Sequence, residues 1–279
     1  MQLYININGD VIPAGQLALP ADNCSYRYGD GLFETMKITE GQIILEEYHF
    51  ERLNSGMLLL QFNVPEFFRQ ENIRNEIIKL CQKNNCEHRA RVRFSVSRGS
   101  GGLFDCDDKV QFIIECWPLK DPVDQINENG LVIDIFPDAR KTCDVFSNLK
   151  SSNYLPYVMA AIWAKENKLN ESLILNIHDR ICDATIANVF WAKSKTIFTP
   201  PLSEGCVGGV MRRYLLEKSK AGRFNIQESV CTKENLEDAD EIFLTNIISG
   251  IRWVKHFREK EYSNNITRQL VGEINLNLA

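Results

Sequence analysis

The chain has 279 residues, 44% of them hydrophobic and 25% charged, with a formal net charge of −5. That length buries a good core, as one large domain or two of ordinary size, and no uncharged apolar run is long enough to read as a bilayer span. The acidic balance and the absence of a basic run exclude nucleic acid as a partner, because phosphate backbones call for clustered Lys and Arg.

The start, Met1-Gln-Leu-Tyr-Ile-Asn-Ile-Asn-Gly-Asp10, alternates like a strand and lacks the basic start and apolar core of a signal peptide, so a cytoplasmic location is expected. Asn8-Gly9 supplies the turn of a hairpin between Tyr4–Ile7 and Val11. Strands are expected at Leu32 to Ile38 and Ile43 to Leu45. Leu53, Met57 and Leu60 recur at helical spacing, as do Ile73, Ile77, Leu80 and Cys81. Arg91 to Val96 and Val110 to Cys116 alternate again, so the first part reads as an α+β unit spanning residues 1–118. Pro118, Pro122 and Gly130, among the polar residues from Trp117 to Gly130, mark an interdomain connection, with the linker placed at 119–130. In the larger domain, 131–279, strands at Leu131 to Phe136, Ser172 to Asn176, Asn188 to Ala192, Thr196 to Thr199 and Glu241 to Thr245 alternate with helices near Asn153 to Asn167 and Val210 to Ala221. The whole is predicted to be α+β, in two domains.

Nine cysteines, an odd number with no Cys-x-x-Cys pair, predict neither a disulfide framework nor a zinc knuckle. His49, His88, His178 and His256 have no paired metal spacing, and no metal is expected. Arg98-Gly-Ser-Gly-Gly102 lacks the Lys-Ser/Thr ending of a nucleotide loop.

Chemistry concentrates in three places. Lys150, in Phe146-Ser-Asn-Leu-Lys-Ser-Ser-Asn-Tyr154, precedes a helix and reads as a Schiff-base lysine, with Tyr154 one helical turn on. Asp183, five residues before Asn188-Val-Phe190, is a carboxylate suited to hold a protonated ring nitrogen. Gly205-Cys-Val-Gly-Gly-Val-Met211 opens a helix whose Val210 and Met211 amides suit a phosphate. A second amide source is Asn246, Ile247 and Ile248, and Arg52 would add charge. Amine, carboxylate and phosphate cradle together suit pyridoxal 5'-phosphate.

The chain resembles the fold type IV pyridoxal-phosphate enzymes, the class IV aminotransferases, over nearly its whole length. The resemblance rests on Tyr28-Gly-Asp-Gly-Leu-Phe-Glu34, His49-Phe-Glu-Arg-Leu53, Leu149-Lys-Ser-Ser-Asn-Tyr154, Asp183-Ala-Thr-Ile-Ala-Asn-Val-Phe190, Gly208-Gly-Val-Met-Arg212 and Ala239-Asp-Glu-Ile-Phe243. It implies a D-amino acid aminotransferase-like fold and a homodimer acting on a small amino substrate. By it, Lys150 is catalytic, while Arg52, Tyr154, Asp183, Val210, Met211, Asn246, Ile247 and Ile248 bind the cofactor. Asp183 departs from the family's usual Glu. Ser97 to Gly102, Asn188 to Trp191 and Thr245 to Ile248 look most like 4-amino-4-deoxychorismate lyases. Thr35, Arg93 and Arg98 are expected to touch substrate. A branched-chain-type aminotransferase using 2-oxoglutarate is the alternative.

Overall fold

The computed structural model describes residues 3–16, 19–119, 126–220, 222 and 224–274. The α+β class holds. Contacts divide the chain into a first unit, Met1–Asp121 with the short stretch Lys150–Asn153, and a second, Pro122–Leu149 with Tyr154–Leu276. The expected linker lies partly at 120–125, outside the described residues.

The first unit holds β1 (Tyr4–Ile7), β2 (Asp10–Pro13), α1 (Cys24–Tyr28), β3 (Gly31–Thr39), β4 (Gln42–Ile43), α2 (Glu46–Leu59), α3 (Gln70–Lys83), β5 (Arg89–Ser97) and β6 (Gln111–Pro118). Its six strands run antiparallel in the order β2-β1-β6-β5-β3-β4. Alternation sends Leu32, Glu34, Met36 and Ile38 to one face of β3, and all four are buried. Leu45, expected in a strand, instead has φ 53° and leads into α2. Sequence periodicity is blind to α1, whose single turn is capped by the Asn23 side chain accepting from Ser25 and Tyr26 amides and is closed by Gly29 at φ 70°. The cysteine expectation is corrected here. A disulfide joins Cys24 to Cys106 across 82 residues, a pairing that depends on the return of the 99–107 loop to α1 and so has no local sequence signal.

The second unit holds β7 (Leu131–Lys141), α4 (Leu155–Glu166), β8 (Glu171–Asn176), β9 (Ile181–Ala184), β10 (Asn188–Lys193), β11 (Thr196–Thr199), α5 (Val210–Ser219), β12 (Asn225–Glu228), α6 (Lys233–Asp238), β13 (Glu241–Asn246), β14 (Gly250–Phe257), β15 (Lys260–Glu261) and α7 (Asn265–Glu273). Its mixed sheet runs β12-β11-β10-β13-β14-β7-β8-β9, with β15 on β14. Period two divides the apolar residues between the sheet's faces. Val189, Trp191, Ile242 and Leu244 pack toward Leu236 of α6, while Phe190, Ala192 and Phe243 pack toward Leu215 of α5 and Leu270 of α7. Strand β9 is short and α6 has six residues, which is why neither shows in the pattern. Helix α7 is tied down by a buried carboxylate: Glu241 of β13 accepts from the amides of Ile266 and Thr267 at 2.8 and 2.9 Å.

Candidate active site

In the first unit, the stretch carrying Lys150 lies along the start of β3. The Phe33 amide donates to the Lys150 carbonyl at 2.9 Å, the Ser152 amide donates to the Gly31 carbonyl at 2.8 Å, and Leu32 bridges Ser151. Gly31 permits this approach, since a Cβ there would lie 3.1 Å from Ser152 Oγ and 2.7 Å from the Val96 carbonyl oxygen. The Lys150 Nζ sits 4.5 Å from the Phe33 ring centre. Thr35 and Arg93 are cross-strand partners, and the Arg93 guanidinium stacks 3.8 Å from that same ring. Arg98 is placed differently. It is held by both carboxylate oxygens of Asp30 at 2.6 Å, donates to the Leu60 carbonyl and covers the Phe62 ring.

Behind this face lies a buried charge cluster. Glu34 of β3, 1% exposed, accepts from His49 Nδ1 at 2.6 Å, Arg52 Nε at 2.8 Å and Arg52 Nη2 at 2.5 Å. His49 and Arg52, three residues apart on α2, share one helix face. Burial pushes the Glu34 carboxyl up, but the charges of Arg52 and His49 and their hydrogen bonds outweigh it and hold it down at about 2. Burial also drives His49 below its ordinary value against the pull of Glu34, with Arg52 and Lys150 pushing the same way as burial. The ring is therefore neutral at pH 7, and with Nδ1 donating, Nε2 is a buried nitrogen with no hydrogen-bond partner. Arg52, expected to bind phosphate, gives its Nε and Nη2 edge to Glu34.

In the second unit, Asp183 of β9 is a hub for four elements. Its Oδ2 accepts from Lys141 Nζ at the end of β7 at 3.2 Å, Tyr157 Oη of α4 at 2.9 Å and the Val207 amide at 2.8 Å. Its Oδ1 accepts from Asn188 Nδ2 of β10 at 3.0 Å. Burial raises this carboxyl, while Lys141 and the hydrogen bonds oppose the rise. Asn188 Nδ2 also donates to the Val207 carbonyl at 2.8 Å, joining Asp183 to the turn that opens α5.

That turn brings Gly209 against Asn188, where a Cβ would lie 1.9 Å from Asn188 Oδ1. Helix α5 starts at Val210 without a side-chain cap, so its first amides point out of the helix without an intrahelical acceptor. Thr245 of β13 pairs with Asn188 across the sheet, and its buried Oγ1 has no hydrogen-bond partner. In the following turn, Asn246 Oδ1 accepts from the amides of Ile248 at 3.0 Å and Ser249 at 2.7 Å. This binds the Ile248 amide to Asn246, leaving Ile247 as the turn amide that Asn246 does not cover. Tyr154 donates its hydroxyl to the Thr185 carbonyl at 2.9 Å and stacks on Tyr157 at 4.4 Å.

Sequence reasoning missed Lys141, Tyr157, Glu34 and His49 as parts of these clusters. Tyr157 follows Tyr154 at helical spacing and Glu34 lies in the quoted Gly31-Leu-Phe-Glu34 run, so both carried a signal. Lys141 carried none, because its partner lies 42 residues away.

The model of the amino-transferase class IV family matches residues 31–257. The chain belongs to that family. It is 26% identical to an aminodeoxychorismate lyase of Vibrio harveyi, over 93% of this chain and 97% of that one. It is 28% identical to an aminodeoxychorismate lyase of Bacillus subtilis (strain 168), over 93% and 88%. Its fold matches a hypothetical aminotransferase from Mycobacterium tuberculosis solved in its PLP-bound form, at TM-score 0.82 and 17% identity over 97% and 96% of the two chains. No helix among the described residues is long and apolar enough to cross a membrane.

Proposed function

We propose that this family member is a pyridoxal 5'-phosphate-dependent lyase that converts 4-amino-4-deoxychorismate to 4-aminobenzoate and pyruvate, as a cytoplasmic homodimer. The observation that carries the reading is near end-to-end similarity to two relatives named aminodeoxychorismate lyase. The residues present fit the cofactor. Gly209, where even a Cβ is excluded, the uncapped α5 start and the unpartnered Thr245 hydroxyl suit a phosphate, with the Val210, Met211 and Ile247 amides as donors. Asp183 Oδ1 carries one donor, and a carboxylate oxygen accepts two, so it suits a protonated ring nitrogen.

When bound, the cofactor supplies an electron sink next to the substrate's amine-bearing carbon. Lys150 Nζ is the group that removes the proton from that carbon, and the enolpyruvyl group leaves through its ether oxygen and takes up a proton as pyruvate. Loss of that group makes the remaining ring aromatic, which drives the reaction forward. Thr35 and Arg93, cross-strand partners on the face that carries Phe33, would meet an anionic substrate. Arg52, oriented by Glu34, adds positive charge for the phosphate.

The second reading, an aminotransferase for branched-chain or related amino acids with 2-oxoglutarate, draws on the family description. One experiment separates them. The lyase releases pyruvate and 4-aminobenzoate from aminodeoxychorismate alone, whereas an aminotransferase is silent until an oxo acid is supplied. Dependence on 2-oxoglutarate, with no 4-aminobenzoate formed, would overturn the proposal. Lys150→Ala is expected to abolish either activity.

A further inference from the structure

We propose that Lys141 is a positioning residue: its ammonium is the built-in counter-ion of Asp183, keeping that carboxylate charged and occupying Oδ2 so that Oδ1 is the acceptor offered to a protonated heterocyclic nitrogen. The role assigned to Oδ1 rests on the reading above; the ion pair itself does not.

The geometry is lopsided. Three donors crowd Oδ2, from Lys141, Tyr157 and Val207, and one reaches Oδ1, from Asn188. Asp183 is 2% exposed and the Lys141 side chain 10%, so water screens neither charge well. A carboxylate so placed needs a nearby cation to remain ionised. The groups facing it are Lys141, the Tyr157 and Tyr154 hydroxyl-bearing rings, and the thiols of Cys182 and Cys206. Burial raises Tyr157 and Cys182 well above their usual ranges and lifts Cys206 to about 12, so all three are neutral at pH 7. Lys141 is the cation against the Asp183 carboxylate. It is itself steadied by the Tyr157 ring, 5.3 Å from its Nζ.

A shorter acid paired with its own lysine differs from a lone glutamate in one respect. The pair is neutral overall, so a ring nitrogen entering beside Oδ1 shares the carboxylate with a resident ammonium. Lys141 thereby fixes both the charge state and the rotamer of the group that meets the ring.

The test uses the full chain with aspartate labelled at the carboxyl carbon, titrated by NMR without cofactor, the Asp183 signal being identified by its loss in Asp183→Asn. Lys141→Met is expected to move the Asp183 midpoint up by at least one pH unit, a tenfold change in proton affinity, and Lys141→Arg to restore it. An Asp183 midpoint that is the same in wild type and Lys141→Met would overturn the proposal. If Lys141→Met does not fold, the double variant Lys141→Met/Asp183→Asn decides: recovery of folding supports the counter-ion role, and continued misfolding counts against it. Pyridoxal 5'-phosphate binding, followed by absorbance, is read separately. A wild type that shows the lysine-dependent midpoint but does not bind this cofactor would sink the functional reading and leave the ion pair intact.

Discussion

Replacing Glu34 with Gln tests whether the charge cluster behind Lys150 stabilises the fold as its geometry requires. The carboxylate is 1% exposed and receives three short hydrogen bonds, two of them from Arg52. Its carboxyl is held at about 2 against an ordinary 4.5, a difference equivalent to roughly 3 kcal/mol of stability at neutral pH. The sign follows from a depressed acid. Stability is fully present above 4.5, where the unfolded chain is also ionised, and is lost as pH falls toward and through 2. Glu34→Gln lacks this titration and points an amide N–H at an arginine donor, so urea unfolding at pH 7 should find it about 3 kcal/mol less stable. The gap should hold from pH 7 to 5 and close progressively between pH 4.5 and 2. His49, pushed below its ordinary 6.5 by burial, is kept in both proteins, because its bond to Glu34 is part of what holds that carboxyl down. A gap that is independent of pH, or one well under 1 kcal/mol at pH 7, would refute the reasoning.

Gly209→Ala places a Cβ 1.9 Å from Asn188 Oδ1 and should weaken pyridoxal 5'-phosphate binding at least tenfold by absorbance titration. Gly208→Ala, whose nearest neighbour atom is 3.7 Å away, should leave it unchanged. Tyr157→Phe removes a bond to a buried carboxylate and should cost about 2 kcal/mol in urea unfolding. Thiol titration in denaturant should count seven free cysteines without reductant and nine with it, and reduction should lower stability by about 4.5 kcal/mol for a loop of this length.

The elements legible in the sequence were those whose burial follows one period over several residues. β3, β5 and β6 alternate, α2 and α3 repeat at helical spacing, and each appears where it was expected. Strand β9 and helix α6 are too short to show a period, and β14, continuous from Gly250 to Phe257, has buried residues on both faces at its centre, which blurs alternation. The same distinction divides the site. Residues that carry a local motif, such as Lys150, Asp183 and the Gly208-Gly-Val210 turn, could be put forward as candidates from the chain. Their partners could not, because Lys141 meets Asp183, and Glu34 meets Arg52, only after strands and helices distant in sequence have packed.

Asn188 shows why the motif around it spans a fixed number of residues. One amide nitrogen donates both to Asp183 Oδ1 and to the Val207 carbonyl, while its oxygen lies where a side chain on Gly209 would have to go. The five-residue interval from Asp183 to Asn188 carries the chain from the end of β9 round a turn to the start of β10, so that both side chains meet at one point. Lengthening that interval would move the carboxylate away from the α5 turn without altering either motif. The distance between the Asp183 carboxylate and the α5 turn is thus set by one carboxamide, and Asn188→Ala should loosen both at once. The Asp183 titration and the phosphate affinity should therefore shift together in that variant, and a change in one without the other would show that the two halves of the site are held independently.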